Sequence, residues 1–121
     1  MPSIKNLFLF VLINAFCIVP IHAQSISCQE LFEIVTENYE SKDEVTCYLS
    51  SMLTKATYYQ LEGMGFVVGY IKSNDFDLYG KPYIFCGIST ARWRAFKSAG
   101  VYGSWGESFH EYIREYTCDC N

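Results

Sequence analysis

The chain has 121 residues, enough for one domain. Nine Lys and Arg stand against thirteen Asp and Glu, a formal net charge of −4. An acidic chain is a poor electrostatic partner for phosphate backbones or anionic lipid, and no cofactor motif is present.

Residues 1–23 follow the order of a secretory signal peptide: Lys5, an apolar run from Leu7 to Val19, Pro20, and a small cleavage residue at Ala23. The run is shorter than the ~20 residues a bilayer span needs. Cleavage after Ala23 predicts a secreted or periplasmic chain, residues 24–121, forming a single domain with no membrane span. It keeps eight Lys and Arg against thirteen acids, a net of −5.

The first predicted element is a helix over 27–39. Ser27 and Glu30 form a capping box, and Cys28, Leu31, Phe32, Val35 and Tyr39 line one face. Glu30, Glu33, Glu37 and Glu40 read as its solvated side. The polar stretch YESKDE predicts a turn. From Val45 to Gln60 the pattern is strand-like, with Val45, Cys47 and Leu49 alternating with Thr46 and Tyr48. EGMG supplies a turn, and FVVGYIK the next strand, with Phe66, Val68 and Tyr70 on one face. SNDFDLYGKP is a polar connection.

YIFCGI is the third main strand. Ile84, Cys86 and Ile88 share one face and are expected to look toward the C-terminal helices; Tyr83 and Phe85 share the other. A helix from about Thr90 to Ala99 follows, stopped by Gly100, with Trp93 and Phe96 inward. Arg92, Arg94 and Lys97 form an expected basic rim. VYG reads as a loop. A last helix starts at the capping pair Ser104 and Glu107, with a stripe of Phe109, Tyr112, Ile113 and Tyr116. Strands grouped together predict an α+β fold: an N-terminal helix, an antiparallel sheet of three to four strands, then two helices.

From residue 50 to 116 the chain resembles the KTSC domain family, a small bacterial domain found alone and at the C-terminal ends of some lysyl-tRNA synthetases. The matching residues are Ser50 and Ser51, the aromatic pair Tyr83 and Phe85, then Ala99, Ser104, Gly106, Phe109, Ile113, Arg114 and Tyr116. The resemblance implies a domain of unknown molecular function, with nucleic-acid binding as the alternative through the synthetase association.

Five cysteines remain after the signal peptide. Disulfides are the default in a small exported chain. Cys47, on an apolar strand face, is expected to be the unpaired one. Cys118 and Cys120 are too close to bond each other without strain, so each pairs with one of Cys28 and Cys86, in either order. A redox or metal role for the Cys-x-Cys is the competing reading. Asp119 between the thiols and their place after a helix C-terminus both disfavour a thiolate. His110 and Glu111 diverge on their helix and make no acid–base pair. The sequence therefore predicts a non-enzymatic binding module for an unknown protein or small ligand. Its surface would be the sheet face of Tyr83 and Phe85, unless the N-terminal helix buries its own stripe there and makes it core, or the basic rim.

Overall fold

A computed structural model describes residues 26–121; the expected signal peptide lies outside the described residues. The fold is α+β. An N-terminal helix, α1 (Cys28–Asn38), precedes four strands: β1 (Ser41–Thr46), β2 (Leu53–Leu61), β3 (Met64–Ile71) and β4 (Lys81–Cys86). Two helices follow, α2 (Thr90–Tyr102) and α3 (Trp105–Tyr112). The sheet is antiparallel throughout, in the order β1-β2-β3-β4.

Each helix begins on a serine whose hydroxyl accepts a backbone N–H of the first turn. At α1, Ser27 Oγ accepts from Glu30 N at 3.0 Å and Glu30 Oε1 from Ser27 N at 3.1 Å, completing the capping box. Ser89 caps α2 and Ser104 caps α3.

The sheet is the middle layer. On one face, Val35 of α1 packs with Tyr59, Phe66 and Val68, flanked by Leu31, Phe32, Ile84 and Cys86. On the other, α2 and α3 press Trp93, Phe96, Phe109 and Ile113 onto Leu53, Ala56, Tyr58, Val67 and Phe85. A register irregularity between Leu53 and Lys55 puts Leu53 and Ala56 on the same face despite their odd spacing. The Glu62–Gly63 turn joining β2 to β3 has positive φ at both residues (53° and 79°), the backbone of a tight hairpin.

Four expectations change. Strand β1 begins at Ser41, four residues before the strand-like stretch read from Val45; the residues read as a turn, Ser41–Glu44, are largely charged and exposed on an edge strand, so they carry no alternating apolar signal. Leu49 leaves the strand face predicted for it and sits in the β1–β2 turn at φ 63°, fully exposed. Helix α2 runs past Gly100 to Tyr102, because Gly100 is an inward residue closely approached by the Trp105 ring rather than a stop signal. Helix α3 is shorter than its apolar stripe, and Tyr116 lies beyond it.

Candidate functional site

The expected aromatic sheet face is not open. Phe85 is only 8% exposed and meets Phe109 edge-on, ring centroids 5.2 Å apart. Tyr83 is 45% exposed near the start of β4. The faces of β4 are exchanged relative to expectation: Phe85 looks toward α2 and α3, while Ile84 and Cys86 look toward α1. Alternation separates the two faces correctly, but both are apolar, so the pattern alone cannot say which helix each one meets. Ile88 parts from Cys86 because Gly87, at φ 71°, interrupts the alternation and returns Ile88 to the Phe85 side.

The basic rim is not one surface either. Lys97 donates to Asp43 Oδ2 at 2.6 Å. Arg92 donates to the Tyr112 carbonyl at 3.2 Å, its guanidinium 4.5 Å from the Tyr116 ring centre. Arg94 is exposed. Two of the three cations therefore brace the fold: one ties α2 to β1, the other ties α2 to the end of α3.

The cysteines form two disulfides, Cys28–Cys120 and Cys86–Cys118. Together they bind the C-terminal tail to the start of α1 and the end of β4. Cys28 N–H donates to the Asn121 carbonyl at 2.8 Å, and Cys86 N–H to the Tyr116 carbonyl at 2.8 Å, so the tail also pairs through its backbone. Cys47 is unpaired and buried, and burial pushes its thiol up to about 12. Two disulfides fit an extracytoplasmic location.

The most exposed apolar side chains gather elsewhere. Tyr48, Leu49, Phe76, Leu78, Tyr79, Val101 and Tyr102 range from 64% to 106% exposed, whereas no other exposed large hydrophobic among the described residues exceeds 51%. All seven lie at one end of the sheet. The antiparallel registers put the end of β1 beside the start of β2, and the end of β3 beside the starts of β2 and β4. The β1–β2 and β3–β4 loops therefore project together. The α2–α3 junction joins them across a groove of about 750 Å³ that includes Val45, Leu49, Ser51, Val101 and Trp105 in its walls. A second groove of about 370 Å³ runs from Thr46 to Leu78 and Tyr79. Thr46 borders both. No Lys, Arg, Asp, Glu or His lines the larger groove.

These loops are held in shape. Ser50 Oγ accepts from the N–H groups of Met52 (3.2 Å) and Leu53 (3.0 Å). The Asp77 carboxylate accepts from the N–H groups of Ser73, Tyr79 and Gly80 at 3.0–3.3 Å. Those backbone donors, Gly80 and Ser73 foremost, hold its carboxyl below the usual range. Thr54 Oγ1 donates to the Tyr79 carbonyl at 2.7 Å, tying the β3–β4 loop to β2. Phe76, Leu78 and Tyr79 thus stand on a braced loop rather than a loose one.

The residues behind the KTSC resemblance scatter: Tyr83 and Arg114 are exposed, and Ala99 and Tyr116 half-buried. Phe85, Phe109 and Ile113 are core. Ser50, Ser51, Ser104 and Gly106, from the two ends of the matched stretch, converge in the larger groove. Tyr48, Leu49, Phe76, Leu78 and Tyr79 escape a periodicity reading because they lie outside helices and strands, while Val101 and Tyr102 end α2. The signal was the presence of Phe76, Leu78 and Tyr79 inside an otherwise polar connection.

No family model, curated protein or solved structure matches the chain. The KTSC resemblance therefore rests on the residues named for it.

Proposed function

We propose that the protein is an exported, non-enzymatic binding module resembling the KTSC domain, and that the loop end of its sheet is the binding surface. Export follows from the N-terminal pattern of residues 1–23 and is supported by the two disulfides. The observation that carries the binding reading is the gathering of seven highly exposed apolar side chains on three segments, two of them braced loops. A soluble monomer seldom keeps such a patch unless it meets a partner. Leu49 adds to this, because a leucine at positive φ is conformationally costly and full exposure returns no packing for it. The nucleic-acid alternative gains nothing from Arg92 and Lys97, whose charges are engaged within the fold.

The test is a titration of the native, oxidised protein with the neutral dye Nile red. The dye is expected to bind, and Leu49→Asn with Phe76→Ser to weaken it at least ~10-fold, since each tip contributes on the order of 1.5 kcal/mol when covered. Both side chains are solvent-exposed, so the thermal midpoint should stay within about 3 °C. No native-state dye binding, or binding indifferent to the two substitutions, would refute the reading.

A further inference from the structure

We propose that the partner of the loop end is the interfacial zone of a lipid bilayer, on which the protein docks peripherally. The inference rests on the reading of this end as the binding surface and names what that surface meets.

Three observations point to lipid. The first is shape. Leu49, Phe76 and Tyr102, the three most exposed large apolar side chains among the described residues, stand on three different segments, each 88% exposed or more. A folded partner would need a separate socket for each tip, whereas an acyl boundary accommodates tips of any arrangement. The second is residue type. Tyr48, Tyr79 and Tyr102 accompany the aliphatic tips, and tyrosine is the side chain with an apolar body and a polar end suited to headgroup depth.

The third is the distribution of charge. Lys55 is paired with Glu44 of β1 at 3.9 Å. With that pair set aside, segments 47–55, 72–81 and 100–106 carry Lys72 and Lys81 against Asp75 and Asp77, a net of zero, and the remaining described residues hold five basic groups against ten acidic ones, a net of −5. The overall acidity that argues against anionic surfaces is thus an average over two unlike parts. A negatively charged bilayer would repel the body of the molecule and face the loop end, so docking there is oriented by the protein's own charge. Lysine stems can lie along apolar surface while their ammonium groups stay at the phosphates. Asp77 faces the Ser73, Tyr79 and Gly80 amides of its own loop. Among the described residues no helix is long and apolar enough to cross a membrane, so the contact is interfacial.

The experiment uses the exported, oxidised protein, its N-terminus fixed by mass spectrometry. Vesicles of phosphatidylcholine, alone or with ~20 mol% phosphatidylglycerol, are the probe. The protein is expected to float with both, and Trp105 fluorescence to shift to the blue. Leu49→Asn with Phe76→Ser should lower the partition coefficient at least ~10-fold on both vesicles. Lys72→Gln with Lys81→Gln should lower it about 10-fold on the anionic vesicles and little on the neutral ones. Ile34→Ser on α1 should change neither. Flotation indifferent to the loop substitutions would overturn the proposal. So would a concentration-dependent dimer that the same substitutions dissolve, since the end would then be an interface between copies. Nile red binding without flotation would overturn the lipid assignment alone and leave the binding surface standing.

Discussion

Cys47 shows how little reactivity a lone thiol has once the fold encloses it. It is 5% exposed, and burial raises its ionisation to about 12, so the thiolate is scarce at neutral pH. Iodoacetamide should leave it unlabelled in the native protein and label it at once in denaturant; mass spectrometry before and after unfolding checks this. Asp43 behaves in the opposite sense. The hydrogen bonds from Lys97 and from the Trp93 indole at 2.8 Å hold its carboxyl below the usual range. A folded value below the unfolded one contributes stability above about pH 4, lost as the pH falls through the lowered value. Asp43→Asn should therefore lower the melting temperature at neutral pH, and the gap from wild type should close in acid. The carboxylate is about half exposed, so the expected cost is roughly 1 kcal/mol or less. Leu49 and Asp77 matter at this scale through presentation: the first is held at positive φ, the second braces the loop that carries Phe76. Asp77→Ala should leave the thermal midpoint nearly unchanged while speeding amide exchange at Ser73, Tyr79 and Gly80.

Among the elements, the helices were the most legible. Ser27 and Ser104 announce two of the caps, and the inward positions of Trp93, Phe96 and Phe109 follow from helical spacing. The start of strand β1 was hidden because SKDE lies at an edge, where exposure and charge erase the period-two signal. The face of β4 was hidden for a different reason: helices cover both sides of the sheet, and alternation cannot rank two apolar faces. Gly100 was misread because a glycine near a helix end signals a stop as readily as close packing. Its α-carbon lies against the Trp105 ring, with no room for a methyl group. Gly100→Ala should destabilise by about 1–3 kcal/mol and disturb the wall of the larger groove; chemical denaturation measures it. The tail is joined by bonds spanning 92 and 32 residues. On the chain-entropy view, replacing both cysteines of Cys28–Cys120 should cost about 4–5 kcal/mol and of Cys86–Cys118 about 3–4 kcal/mol. An inverted order would mean that local packing of the tail outweighs loop length.

At the scale of the molecule, two unlike ends share one small sheet. The acidic body holds the core, the disulfides and the Lys97–Asp43 ion pair. The loop end holds the exposed apolar tips and no net charge once Lys55 is paired with Glu44. That end is dispersed in the sequence: its residues come from positions 47–55, 72–81 and 100–106, brought together by antiparallel strand pairing and by the packing of the α2–α3 junction beside the strands. The molecule is therefore expected to act through one end, with α1 and the charged start of β1, Ser41–Glu44, turned away from the partner. Hydroxyl-radical footprinting of the oxidised protein, free and with phosphatidylcholine–phosphatidylglycerol vesicles, tests this most directly. Protection concentrated at Tyr48, Leu49, Phe76, Tyr79 and Tyr102, with Ile34 and Met64 unchanged, is the predicted result. Protection centred on α1 or on Ser41–Glu44, or none at the loop end, would contradict it.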